Sequence, residues 1–583
     1  MKKYLTYILA VWFATSSCSL DENMYVYIDG DTYIEDAASA RTVLYGLYRD
    51  MSSLQLYGLN LSIRFDMPTD IAKMDGNTLA NNRDFYCNAH LATNAVVQET
   101  WQALYRTIYN ANDFIEKANA AKDRISQTDA QAVAVYVAEA RVIRALMYFE
   151  LVRNWKNVSL ITSVAQSRKH ASTFIQEKPE TVYEFIEQEL SEAAKVLPWA
   201  TADTVRPDNA FMISKASALG LLARVYVTWA GYPMNNESKW ELAKNACEEI
   251  INSGKHDLLA DYEVLWKNSC NSVWDPKESL FEISFYSPAI SSSNSNNCSG
   301  YIGKWNGVYV VENTSPLVRV DAKCRSVATF GAQWPNAEND KRFYLSLADF
   351  YYEGTDLVGK NSETNRYYEE SEVAGMKRVY GVNYGGQKVT ILMARESTLT
   401  SNRDPFKNRL FIAKWDLTKY VDPTKHIADG NFSNANWYIL RYSDILLMYA
   451  EAVNEISGPT DEAYDAVNKV RRRGYGFDWT TTEATVADLP DGMSQTDFRQ
   501  AIRDERAYEL CFEGQRKHDL IRWGIYADTV IETGAALEEW RETFSSYYLP
   551  ATYTQKGKHE LQPIPQRELD LMPLYKQNPN WEK

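Results

Sequence analysis

The chain is 583 residues long, enough for two to four ordinary domains or one large repeat-built one, so the size of its core is not limiting. Its formal net charge is −15, from 62 Lys plus Arg against 77 Asp plus Glu, and a molecule this acidic repels nucleic acid and anionic lipid surfaces. Aromatics make up 13%, and with 39 Tyr and 16 Trp against 20 Phe the excess lies in rings with a polar tip, the kind favoured at wet recognition surfaces.

Met1-Lys2-Lys3, the apolar run Tyr4 to Ala14 and the small residues Thr15-Ser16-Ser17 form an export signal, too short to span a bilayer. Cys18 directly after the small residues is the arrangement of a bacterial lipoprotein signal, in which the thiol receives the lipid and becomes the new N-terminus. Thr15 stands where a large aliphatic residue is usual, and cleavage near Ser17 without lipidation is the alternative. Residues 19–583 are then expected to hang from a membrane on a lipid anchor, since no later segment is apolar enough to cross one.

Most of the chain beyond Cys18 reads as helix. From Ala132 to Trp155, apolar Val133, Val137, Ala140, Ala145, Phe149 and Val152 recur on more than one stripe, which predicts a long helix packed on two sides. Pro179 opens the next helix, with Val182, Ile186, Leu190 and Ala193 at helical spacing before Pro198. Ser214 to Ala230 stops at Gly231, and Trp240 to Ile251 stops at Gly254. These starts recur about every 30 residues, close to the 34-residue period of tetratricopeptide repeats. Ala216, Ala218, Gly220 and Ala223 supply small residues where neighbouring helices would approach.

From about residue 268 to 436 the periodicity lapses. Ser291 to Asn297 is a polar loop, Gly is frequent, and Leu280 to Phe285 alternates like a strand, so a loop-rich insertion carrying short strands is expected on a helical frame. Helices return at Tyr438 to Ile456, Asp461 to Arg473 and Thr496 to Phe512, the last with Ser494 before it and Gly514 after it.

Chemistry-bearing motifs are few. Cys87, Cys247, Cys270, Cys298, Cys324 and Cys511 show no metal or redox spacing, and their pairing cannot be read from sequence. The six histidines include no HExxH, and Asp29-Gly30-Asp31 lacks the further ligands of a calcium loop, so a turn is the expectation and no metal is. Glu505, Glu509 and Glu513 share one helix face among Arg503, Arg506 and Arg516. They are either the carboxylates of a hydrolase or an ion-pair ladder tying helices together, the second being the expectation.

The segment Ala138-Glu139-Ala140-Arg141 to Leu151-Val152-Arg153-Asn154-Trp155 resembles a sequence block of the SusD/RagB outer-membrane nutrient-binding lipoproteins. Further blocks come in order: Arg441 to Ala452, Val470 to Arg473, Arg503 to Arg516, Asp519 to Gly524, and the tail Ile564-Pro565-Gln566 with Gln577-Asn578-Pro579. Lys156 and Asn580 replace glycines of the pattern. The resemblance implies one domain over residues 19–583: a tetratricopeptide-like right-handed helical-repeat scaffold, mainly α, with repeats chiefly at 100–255 and 438–525. The irregular region at about 268–436 would carry most of the ligand site. It also implies an outer-membrane, outward-facing lipoprotein without a cofactor and without enzyme activity, which captures oligosaccharides and delivers them to a SusC-like TonB-dependent transporter barrel. Peptide capture on the same scaffold and a helical glycoside hydrolase are the alternatives. The site would lie between the loop before Trp101 and the insertion, where this sequence has Asn81, Arg83 and Tyr86, then Tyr301, Trp305, Tyr309 and Trp334.

Overall fold

The computed structural model describes residues 33–75, 79, 83–200, 212–285, 300–310, 320–337, 339–348, 350–358, 367–370, 376–384, 387–395, 410–421, 432–539 and 548–582; from 350 to 395 only the backbone is described. The expectations on Cys18, Asp29-Gly30-Asp31, Asn81 and Cys298 lie outside these residues.

Helices begin where a side chain can take over the unpaired N–H groups of the first turn. Asn94 accepts from Val96 N–H at 2.9 Å to open Ala95–Ala121, Ser126 accepts from Asp129 N–H at 3.1 Å to open Gln127–Trp155, and Ser214 and Ser217 cap each other reciprocally at the start of Lys215–Ala230. Pro179 begins Pro179–Val196, and Gly254, at φ 61°, follows Lys239–Asn252. The predicted helices thus stand within a few residues of their expected bounds.

Each helix packs on the next in chain order, from Ala95–Ala121 through Lys239–Asn252. Gln127–Trp155 lies against helices on several sides, and between Val137 and Trp155 only Arg141 and Arg153 escape full burial. That accounts for its several apolar stripes. Gly220 lets Lys215–Ala230 come close to its neighbours: a Cβ there would sit 3.1 Å from Ile445 and 3.2 Å from Leu440.

The insertion leaves and rejoins this array at one place. Strand β2 (Ser279–Ile283) pairs antiparallel with β10 (Trp437–Arg441), Trp437 opposite Ile283. Helix Tyr442–Ser457, which follows β10 directly, packs on Lys239–Asn252 and so continues the array. The expected helix at Tyr438 to Ile456 therefore needs correction at its start, because Tyr438 to Arg441 is strand. An apolar run beside a helix looks helical locally, while its pairing partner lies more than 150 residues away in sequence.

Of the strands between those two, β3 (Cys324–Ser326) pairs with β1 (Ala72–Met74) from the N-terminal part of the chain, and β4 (Leu347–Ala348) pairs with β9 (Phe411–Ile412). A four-stranded antiparallel sheet, in the order β5 (Phe350–Val358), β8 (Gln387–Arg395), β7 (Met376–Tyr384), β6 (Tyr367–Glu370), is larger than the short strands expected.

Buried charge locks the insertion to the array. Arg441 reaches Glu278 at 3.0 Å, Glu509 at 2.8 Å and Glu513 at 2.8 Å; Arg473 reaches Glu278 at 2.8 Å and Glu509 at 2.6 Å. Arg342 joins Asp340, Glu505 and Glu509, and Lys414 joins Glu513 at 2.7 Å. These contacts tie the insertion (278, 340–342, 414) and Arg441 of β10 to helix Asp461–Tyr475, to helix Gln495–Glu509 and to Glu513 just past its end. Although burial alone would raise the Glu509 carboxyl, the surrounding Arg473, Arg441 and Arg342 hold it well below the usual carboxylate range. A second alternating chain links Arg224, Asp444, Arg506, Asp519, Arg522 and Glu451. The expected ion-pair ladder is present, and it leaves Glu505, Glu509 and Glu513 without access to a substrate.

Candidate ligand-binding site

Within the insertion a tight turn, residues 300–310, carries Tyr301 and Trp305. Gly300 bridges Ser433, Tyr301 N–H donates to Gly58 O at 2.8 Å, and Cys324 N–H donates to Trp305 O at 2.7 Å, so three chain segments fix the turn. Gly303 at φ 74° and Gly307, whose Cβ would meet Gly303 O at 2.1 Å, allow the chain to fold this closely.

On this frame Tyr301 stands edge-on to Trp305, ring centres 5.2 Å apart, and leans on Phe432 at 5.3 Å. Tyr301 and Phe432 are half-buried, whereas Trp305 is 9% exposed. Trp305 is therefore the support and Tyr301 with Phe432 the exposed ledge. The Arg64 guanidinium lies 5.1 Å from the Trp305 ring centre and 5.9 Å from that of Tyr86, while Lys323 Nζ lies 4.4 Å from Trp305. Burial pushes the Tyr86 phenol up to about 12, Arg64 opposing it. Two buried donors of the turn find no acceptor among the described residues, the Trp305 indole N–H and the Asn306 amide.

A second set of rings adjoins this one along the β1–β3 pair. Asp75 N–H donates to Lys323 O at 2.7 Å, the Asp75 carboxylate holds Arg325 at 2.9 Å, and Arg83 Nε donates to Asp75 O at 2.9 Å. Arg325 lies 5.0 Å over Phe411, and Phe411 stacks on half-buried Tyr309 at 6.1 Å and 15°.

Of the residues singled out from sequence, the fold gathers Arg83, Tyr301, Trp305 and Tyr309 along this pair, while Tyr86, 2% exposed, is a core ring beneath Arg64 rather than a ligand surface. Trp334 is elsewhere: 4% exposed, it packs between Phe330, Phe343 and Tyr508, and its indole N–H donates to Asp340 at 3.1 Å. It belongs to the core and does not oppose Trp305. Sequence reading missed Arg64, Lys323, Phe411 and Phe432. Phe432 alone carried a signal, lying in a Gly- and Asn-containing stretch (Gly430-Asn431-Phe432-Ser433-Asn434) of the kind that singled out the others.

Two cavities lie away from the ledge: a groove of about 290 Å³ lined by Trp101, Tyr105, Tyr109, Phe174 and Tyr575, and a cavity of about 150 Å³ beside His518.

Residues 277–581 match the family described as SusD family, and residues 38–227 match the one described as "Starch-binding associating with outer membrane". The chain belongs to the SusD family. Its fold superposes with TM-score 0.83 on a solved SusD homolog from Bacteroides thetaiotaomicron, at 42% identity over 95% of this chain and 99% of that one. Surface glycan-binding protein A from Bacteroides thetaiotaomicron, solved in complex with laminarihexaose, shares the fold at TM-score 0.65 and 19% identity, covering 93% of this chain and 99% of that one. SusD-like protein P25 of Formosa agariphila is 26% identical over 98% of this chain and 97% of its own length. For this SusD-family chain the glycines replaced in sequence keep their backbone: Lys156 and Asn580 both stand at φ 65°.

Proposed function

We propose that the protein is a surface lipoprotein that captures oligosaccharides on the Tyr301–Phe432 ledge and hands them to a SusC-like TonB-dependent transporter barrel. The observation that carries this reading is a partly exposed aromatic pair, Tyr301 and Phe432, seated on Trp305 with the cations Arg64 and Lys323 against that ring. A sugar's hydroxyls are satisfied by water, so affinity comes from an apolar ring face laid on an aromatic and from water replaced by well-aimed polar groups. The ledge offers the ring faces, and Arg64 and Lys323 at its base supply the polar groups. Relatives named for laminarihexaose and starch binding support sugar as the ligand class. Peptide capture would use the same rings.

A glycan-array and affinity-gel screen of residues 19–583 tests this. Retention by one glycan, weakened in Tyr301→Ala and without released products, is expected; retention only by peptides, or product release from any glycan, overturns it. Cys18 is the proposed lipid attachment point: Cys18→Ala should lose outer-membrane fractionation and labelled palmitate. Purification in mild detergent should bring a large barrel protein with the wild-type chain, and repeated recovery alone would count against the partnership.

A further inference from the structure

The 150 Å³ cavity lies where the end of helix Gln127–Trp155, the first turn of Pro179–Val196, the turn at Tyr232–Met234, helix Arg516–Arg522 and residues 557–561 meet. Three of its features are not explained by packing. His518 lines it with a ring only 9% exposed and makes no side-chain hydrogen bond among the described residues. Burial, with Arg153, Lys517 and Arg224 nearby, holds that imidazole well below its ordinary value and therefore uncharged. Glu560 lines the same cavity with one carboxylate oxygen buried and unpartnered, an arrangement that costs free energy unless a donor reaches it. Lys156 lines it at the centre of a tight turn, φ 65° and ψ −77°, a strained conformation for a residue other than glycine.

The unused polar capacity defines the ligand. Arg522 is taken up by Glu451 and Asp519, and Arg153 gives Nε and one terminal nitrogen to Glu150, leaving its other terminal nitrogen. Lys156 has no ion pair among the described residues, and the Lys558 ammonium lies 4.4 Å over the Trp581 ring with none either. Donors and positive charge are in excess, so the ligand brings an anionic group. The lone Glu560 oxygen requires that the same ligand also donate. Pro179, Tyr183, Pro233 and Ile521 give apolar walls, and the volume is that of a void able to hold a single six-membered ring.

We propose that this cavity is a second ligand site, for one carboxylate-bearing sugar ring, a hexuronate. Its carboxylate lies in the field of Arg153, Lys156 and His518, and a ring hydroxyl donates to Glu560. Anion binding favours the imidazolium, so His518 takes up a proton on binding. The charged groups around it are Arg153 and Lys156 from one helix, Arg224 from a second, Lys517 and Arg522 from its own, and Lys558 and Glu560 from the C-terminal segment. The site is independent of the Tyr301 ledge.

Calorimetry on residues 19–583 with glucuronate, and with glucose as the same ring lacking the carboxylate, tests it. Glucuronate is expected to bind at least about tenfold more tightly, with Lys156→Met and Glu560→Gln each weakening it about tenfold at unchanged melting temperature. Tyr301→Ala is expected to leave glucuronate binding intact, which separates failure here from failure of the ledge. The His518 imidazole resonances should titrate at higher pH with glucuronate present. Equal affinity for the two sugars, no heat up to about 10 mM, or binding lost in Tyr301→Ala but kept in Lys156→Met overturns the proposal.

Discussion

The charge junction and the aromatic ledge treat polar groups in opposite ways. At the junction Glu505, Glu509 and Glu513 are 0%, 0% and 4% exposed, and each carboxylate meets at least one cation within 3.1 Å. At the ledge Tyr301 and Phe432 remain partly exposed, and the cations there, Arg64 and Lys323, lie against the Trp305 ring rather than in a buried carboxylate cluster. A buried network whose charges are paired rigidifies and offers a ligand nothing, whereas open ring faces with cations beside them are a capacity to bind. Charged clusters that look catalytic in sequence are thus the least available groups in the fold.

Substitutions in the two regions should separate stability from binding. The largest loss is expected from Glu509→Ala, which takes one carboxylate from each of the buried Arg342, Arg441 and Arg473 and leaves excess positive charge in the interior, at a cost of about 3 to 5 kcal/mol read by denaturant unfolding. A ring in the core comes next: Trp334→Ala should cost about 4 kcal/mol through the cavity it leaves, with glycan affinity unchanged, and reduced affinity at full stability would return Trp334 to the site.

The third effect depends on pH. Burial raises the Glu282 carboxyl to about 8, against about 4.3 in an unfolded chain, although Ser279 and Asn436 donate to it. Between these values the folded state holds the extra proton, so this contribution is complete below about pH 4 and is lost as pH rises towards 8. Thermal melts from pH 5 to 8.5 should show a fall on the order of 3 kcal/mol that Glu282→Gln flattens. A parallel slope in the variant would assign the effect to another group.

At the ledge, Tyr301→Ala should weaken glycan binding roughly tenfold, about 1.4 kcal/mol, and barely move the melting temperature. Trp305→Ala is the less clean probe, since a ring 9% exposed beneath the ledge takes packing with it when removed. Least of all is expected from Lys195→Ala, whose pairing with Glu192 lies in solvent; its melting curve should overlay the wild type.

The helical array was legible because its signals are local: Pro179, the Ser214 cap, Gly231 and the small residues around Gly220 act within a turn or two of themselves. Tyr438 to Arg441 was misread because the choice between strand and helix was made by β2, far off in sequence. Trp305 and Trp334 sit in equally unpatterned stretches, and what separates them is that Tyr508, from a distant helix, covers the second. Arg64 was invisible for a related reason: it ends a single π-helical turn, Asn60–Arg64, that no apolar period announces.

The β2–β10 pair has a further consequence. Because Ile283 faces Trp437 across an antiparallel ladder, the ends of the excursion from residue 284 to 436 are held about 5 Å apart whatever lies between them. Closing a loop already that long becomes only slightly harder as it grows, with each doubling costing about 0.6 kcal/mol. The excursion therefore behaves as a cassette: tens of residues can be added or removed at its tips, changing what the protein recognises, while the clasp and the helices beneath it stay as they are.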